Sequence, residues 1–86
     1  MTIYIPSPLR SYTSDVEKVH AEGATVDEVL RNLNKTYPGI RFRIINEQDG
    51  IREHIKIFVN EEMIRDVSEK TESGDKIHII CALSGG

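Results

Sequence analysis

One capped helix pattern among short strand patterns most constrains how this chain can fold. Thr25-Val26-Asp27-Glu28 is a capping box, in which the threonine hydroxyl accepts from a free amide and Glu28 reaches back. Apolar side chains follow at a spacing of 3.6 residues and form one stripe: Val26, Val29, Leu30, Leu33 and Tyr37. Pro38-Gly39 ends the pattern. The sequence therefore predicts an amphipathic helix over residues 25–37 that must pack against another element.

Short strand patterns lie on both sides of this helix. Two precede it, at residues 2–5 and 16–22, and three follow it, at 55–59, 63–64 and 76–82. Parallel pairing of the first and last strands would place four isoleucines under the helix: Ile3, Ile5, Ile77 and Ile79. The less regular segment 40–53 is expected to add apolar side chains beneath the sheet: Ile40, Phe42, Ile44 and Ile45. The order predicts an α+β fold, with a mixed sheet of four to five strands on one main helix.

Composition fits one small globular domain. The 86 residues are 38% hydrophobic and 29% charged, and they include a single cysteine, Cys81. No internal disulfide can form, so a reducing cytoplasm is the expected location. No apolar run approaches the roughly 20 residues of a membrane-spanning helix, and no signal peptide is apparent. The net charge of −3 argues against general nucleic-acid binding. We therefore expect neither a membrane nor a nucleic acid as a partner.

The last two residues are Gly85 and Gly86. Two residues without Cβ form a thin segment that can enter a narrow active site and deliver its own carboxylate to another enzyme. The alternative is an ordinary flexible terminus. We expect one domain over residues 1–82 and a flexible tail over residues 83–86.

Three segments, taken together, carry a resemblance to a known family. They are a hydrophobic strand that ends in Val-Asn, a Gly-Asp turn that leads into the last strand, and the terminal glycines: Ile57-Phe58-Val59-Asn60-Glu61-Glu62, Ser73-Gly74-Asp75-Lys76-Ile77 and Gly85-Gly86. In this spacing the chain resembles the ubiquitin-like, β-grasp sulfur carriers of the MoaD/ThiS family over essentially its whole length. Many members carry prolines before the tail, where this chain has Cys81-Ala82-Leu83-Ser84. The resemblance implies a β-grasp fold.

The resemblance also implies a carrier rather than an enzyme. An E1-like adenylating enzyme would join the Gly86 carboxylate to AMP, using ATP bound by that partner. A sulfur donor would then leave a thiocarboxylate at Gly86, and a biosynthetic enzyme of the molybdopterin, cysteine or thiamine type would accept the sulfur. The carrier itself would bind no cofactor and supply no catalytic residue. Leu83, Ser84 and Gly85 would form the tail, with Leu83 where the tail leaves the domain.

Two other functions would use the same terminus. The first is a ubiquitin-like protein modifier, in which activated Gly86 forms an isopeptide bond with a lysine of a target. The second is a subunit that inserts its tail into the active site of a larger partner. The small subunit of molybdopterin synthase combines this second role with sulfur carriage.

Strand alternation also predicts a partner surface on the sheet face away from the helix. It places Lys56, Phe58, His78 and Ile80 there, with Tyr4 nearby. Adjacent Phe58 and Ile80 would form an apolar patch, so Phe58, His78 and Ile80 are predicted to contact a partner. Two alternatives remain: loops cover Phe58, or the register is shifted by one residue, which would turn every side chain to the other face.

Other side chains do not indicate a catalytic or metal site. Cys81 alternates with Ile77 and Ile79, so it is expected to act as a small buried hydrophobe. Ser84 has no evident base, and the glycines before the tail are isolated, so no phosphate-binding loop is expected. The three histidines lack the spacing of metal ligands, and no metal site is expected: His20, His54 and His78.

Overall fold

The computed structural model describes residues 1–82, which form one mixed sheet with helices on one side. In chain order the elements are β1 (Thr2–Tyr4), a 3-10 helix (Ser7–Thr13), β2 (Lys18–His20), α1 (Val26–Thr36), α2 (Ile40–Ile44), β3 (Ile55–Val59), β4 (Glu62–Ile64) and β5 (Lys76–Cys81). The strand order is β2-β1-β5-β3-β4. Only β1 and β5 pair in parallel. The predicted α+β class is confirmed; the predicted tail, residues 83–86, lies outside the described residues.

The core lies between α1 and one face of the sheet. The apolar stripe of the helix is no more than 1% exposed: Val26, Val29, Leu30 and Leu33. The four isoleucines expected beneath the helix are 0–2% exposed, and Ile3 pairs with Ile77 across the parallel strands. The predicted pairing of the first and last strands is therefore confirmed, and it fixes which side chains of β5 face away from the core.

The capping box forms at the start of α1. The amide of Glu28 donates to Thr25 Oγ1 at 3.2 Å, and the amide of Ala24 donates to Glu28 Oε1 at 3.3 Å. Glu28 thus reaches the residue before the cap rather than Thr25 itself. The first bond satisfies an amide that the first helical turn leaves without a backbone partner, and the second ties Glu28 to the loop before the cap. They set the position at which the loop after β2 enters the helix.

Replacement of Thr25 by alanine removes this cap. We expect Thr25→Ala to lower the free energy of unfolding by about 1 kcal/mol, or roughly 4–8 °C in melting temperature for a domain of this size. Thermal unfolding followed by circular dichroism measures the change. Thr25→Ser, which keeps the accepting oxygen, is the control, and equal losses in both variants would contradict a capping role.

The segment after α1 differs from its expected packing. It forms the short helix α2, in which Ile40 and Ile44 lie one turn apart and are fully buried. Phe42 was predicted beneath the sheet, and this prediction is wrong: its side chain is 54% exposed. Because Phe42 lies two residues from each isoleucine, helical geometry turns it to the opposite side. The Arg52 guanidinium covers one face of its ring at 4.6 Å from the centroid.

The second strand is shorter than its sequence pattern. Only Lys18–His20 form β2, and Val19 is its single buried side chain. Val16 was expected in this strand but is 46% exposed and follows two residues with positive φ, Ser14 and Asp15. This left-handed turn ends the 3-10 helix, which the sequence patterns did not indicate.

Candidate functional site: the open face of the sheet

One row of side chains crosses all five strands on the side of the sheet away from α1, here called the open face. Tyr4 is the register partner of Lys18 on β2 and of His78 on β5. Phe58 is the register partner of His78 on β5 and of Met63 on β4. Side chains of directly opposed strand residues stand next to one another. The row therefore runs across the sheet in this order: Lys18, Tyr4, His78, Phe58 and Met63.

The centre of this row is a stacked pair of rings. The centroids of Tyr4 and His78 lie 4.2 Å apart, and their planes differ by 1°. The Lys18 ammonium nitrogen lies 5.6 Å from the Tyr4 centroid, within the range of a cation–π contact. Both rings are half-buried although they face away from the core. The stack therefore holds two adjacent strands at the middle of the open face.

The three residues predicted to contact a partner lie together on this face. Phe58 is the register partner of His78, and Ile80 is two residues further along β5. Ile80 is 45% exposed and Phe58 is half-buried. Their neighbours in sequence, Ile57 and Ile79, are buried on the other side. The register is thus the predicted one and not the shifted alternative.

Lys18 and Met63 complete the row, although the sequence patterns did not single them out as site residues. Met63 is 46% exposed and precedes Ile64, which is buried, so strand alternation carried a signal for it. Lys18 carried none, because the boundaries of β2 were not evident in the sequence. The open face is therefore wider than the predicted patch.

The tail begins at the end of β5 that adjoins this patch. The amide of Ala82, the last described residue, donates to the carbonyl of His54 at 2.7 Å, beside the start of β3. Ile80 lies two residues earlier on the open face. Four residues predicted to form the reactive terminus lie outside the described residues: Leu83, Ser84, Gly85 and Gly86. The described part of the chain brings the apolar patch to the base of that terminus.

Cys81 contributes packing at the same place. It is half-buried and lies against the core, as predicted for a small hydrophobe. Burial raises the pKa of the Cys81 thiol above its ordinary value. A raised pKa keeps the thiol protonated near neutral pH, and the protonated form is a poor nucleophile. The geometry at Cys81 therefore supports packing rather than sulfur chemistry.

An acidic groove borders the open face at the opposite end of β3. It is lined by the β3–β4 turn, by β4 and by the segment that leads into β5, and its carboxylates come from Glu61, Glu62, Glu69, Glu72 and Asp75. Lys76 and His78 lie where this groove meets the open face. Within residues 1–82, no group of three or more His, Cys, Asp or Glu side chains is placed so that it could hold a metal ion. No helix of this part of the chain is long and apolar enough to cross a membrane.

Comparisons with known proteins agree with this geometry. The model of the ThiS family matches residues 3–86. The sulfur carrier protein CysO of Mycobacterium tuberculosis is 31% identical over 91 residues, which span all of this chain and 98% of the relative.

Among solved structures, a chain in the Amycolatopsis orientalis BexX/CysO complex is 32% identical with a TM-score of 0.93, covering 99% of this chain and 98% of that one. SAMP1 of Haloferax volcanii is 26% identical with a TM-score of 0.78, and the match covers 100% of this chain and 98% of that one. These matches confirm the predicted β-grasp fold and a carrier that is not an enzyme: the chain belongs to the ThiS family.

Proposed function

We infer that this protein carries sulfur as a thiocarboxylate on Gly86. The observation that carries the proposal is the family match over residues 3–86, which includes the terminal Gly-Gly. The relative named as a sulfur carrier, at 31% identity over the whole chain, supports it. An E1-like enzyme binds ATP and activates the terminus, a sulfur donor converts it, and a biosynthetic enzyme of the molybdopterin, cysteine or thiamine type accepts the sulfur.

The two chemical steps explain why a carboxylate needs activation. A carboxylate is a poor electrophile because its negative charge is shared between two oxygens. In the first step a Gly86 oxygen attacks the α-phosphorus of ATP, pyrophosphate leaves, and an acyl adenylate forms. In the second step a sulfide-equivalent donor attacks the acyl carbon, and AMP leaves with that oxygen. One carboxylate oxygen is thereby replaced by sulfur, without oxidation or reduction.

This chain supplies recognition and a terminus rather than catalytic groups. Gly85 and Gly86 carry no Cβ and so permit close approach to the activating nucleotide. Phe58, His78 and Ile80 form a patch on the open face, in which Ile80 lies two residues before Ala82, the last described residue. We assign this patch to contact with the activating enzyme, because a contact near the strand end that leads to Gly86 would position that terminus in the partner.

Intact-mass measurement tests the proposal. The protein is incubated with the recombinant E1-like adenylating enzyme of the same organism, ATP and sulfide. We expect a mass gain equal to the replacement of one oxygen by sulfur, located on Gly86 by fragmentation. Omission of ATP is the control, because replacement of a Gly86 oxygen by sulfur requires the adenylate, and the same mass gain without ATP would contradict activation by adenylation. An unchanged mass with all components present would contradict sulfur carriage.

A second candidate is a ubiquitin-like protein modifier. SAMP1 of Haloferax volcanii, at 26% identity, favours this function, because SAMP1 stands for small archaeal modifier protein 1. In this function the acyl adenylate leads to an isopeptide bond between Gly86 and a target lysine. Adding cell extract to the reaction mixture distinguishes the modifier function from the carrier function. Covalent ladders on target proteins support a modifier, whereas the mass gain from sulfur supports a carrier.

A further inference from the structure

The open face is positively charged although the whole chain is negative. The chain has 14 acidic and 11 basic residues. Yet the charged residues at the strand positions of the open face are all lysines. Lys18 ends the central row beside Tyr4, Lys56 is the register partner of Ile80, and Lys76 lies two residues before His78. All three lysine side chains are exposed.

Two of these lysines lie far from the acidic groove. Lys18 is on β2, the edge strand opposite β4. Lys56 is near the start of β3, whereas the groove lies at the β3–β4 turn. Lys76, in contrast, lines the groove beside Asp75. Within residues 1–82, Lys18 and Lys56 form no ion pair, and they carry positive charge on two sides of the Tyr4–His78 stack.

The arrangement of the rings at the centre of the open face favours a protein over a nucleic acid as the partner. Proteins that bind single-stranded nucleic acid without sequence preference offer free ring faces on which bases stack. Here the facing surfaces of Tyr4 and His78 are stacked on each other at 4.2 Å. The stacked rings and Phe58 lie side by side across three neighbouring strands. This row of rings between two positive charges complements an apolar surface bordered by carboxylates.

We propose that the open face docks on a surface of the activating enzyme that has an apolar centre and carboxylates opposite Lys18 and Lys56. The proposal rests on the proposed function, because it describes the partner of the same terminus. Opposite charges at the border of an interface mainly raise the association rate and set orientation. The lysines thus steer the encounter, while the row of rings supplies the close contact.

Association rates test the steering. Lys18→Glu, Lys56→Glu and the double variant are mixed with the recombinant E1-like adenylating enzyme of the same organism at low and high salt. We expect the double variant to associate about tenfold more slowly at low salt, with a smaller difference at high salt. The extent of AMP formation at saturating enzyme stays at the wild-type value. Lys35→Glu, the same charge change on the exposed side of α1, is the control.

The possible results separate this proposal from the function on which it rests. If wild-type protein associates but is never adenylated, the proposed function is wrong. If wild-type protein is adenylated and the double variant associates at the wild-type rate, the docking proposal is overturned. The docking proposal is also overturned if Lys35→Glu slows association as much as Lys18→Glu and Lys56→Glu do, because net charge alone then explains the effect. Binding of a single-stranded RNA homopolymer that is lost in the double variant would identify the face as a nucleic-acid site instead.

Discussion

Deletion of Gly86 is expected to abolish formation of the acyl adenylate while the fold is unchanged. The deletion moves the terminal carboxylate back by about 3.8 Å, the spacing of consecutive Cα atoms. A displacement of only 1 Å from reactive geometry costs on the order of 10²-fold in rate, so the loss should be at least that large. Gly86→Ala keeps the position of the carboxylate but adds a Cβ beside it, and we expect a similar loss where the active site is narrow.

Pyrophosphate release with the E1-like enzyme and ATP measures this effect. The matched control is Gly50→Ala, the same substitution away from the tail. Its new Cβ would meet the Asn46 side chain at 3.4 Å, which is ordinary contact, and Gly50 does not have a positive φ. The control should release pyrophosphate at the wild-type rate. A protein that lacks Gly86 and is still adenylated normally would contradict activation at this residue.

Phe58→Ala combined with His78→Glu is expected to weaken binding of the activating enzyme by at least about 2 kcal/mol, or roughly 30-fold. The first change removes an apolar side chain from the centre of the open face. The second removes the ring that stacks on Tyr4 and places a carboxylate in the middle of the row, next to position 58. Both side chains face away from the core, so the folded state should persist with a slightly lower melting temperature.

The rate of AMP formation as a function of carrier concentration measures this weakening. We expect the half-saturating concentration to rise while the rate at saturation changes little, because the terminus is intact. The control is Phe42→Ala with Lys35→Gln, which makes equivalent changes of size and charge at exposed helical positions. A half-saturating concentration equal to that of the wild type would exclude the open face as the docking surface.

Regular side-chain periodicity explains which parts of this fold could be predicted from sequence. Val26, Val29, Leu30 and Leu33 repeat at helical spacing, and β3 and β5 alternate over five and six residues. Such patterns specify both an element and its buried face. α2 is only five residues long, so its isoleucines gave no clear period and Phe42 was assigned to the wrong side. β2 has three residues, too few to define its ends.

The candidate site was predictable to the same extent. Phe58, His78 and Ile80 follow from alternation along β3 and β5. The stack of Tyr4 on His78 depends in addition on the register of a parallel pair whose strands lie at opposite ends of the sequence. No turn links those strands, so local sequence does not set that register; tertiary packing of Ile3 beside Ile77 does. The sequence therefore indicated the patch but not the row that crosses the sheet.

The central position of β5 has a mechanical consequence if other enzymes act on the terminus, as we propose. β5 is bonded on one side to β1 and on the other to β3, so within residues 1–82 it joins the β1–β2 pair to the β3–β4 pair. A pulling force applied beyond Ala82 acts along β5, so the hydrogen bonds on both sides resist it together in shear. The domain can thus withstand tension on its terminus better than it could if the terminus followed an edge strand.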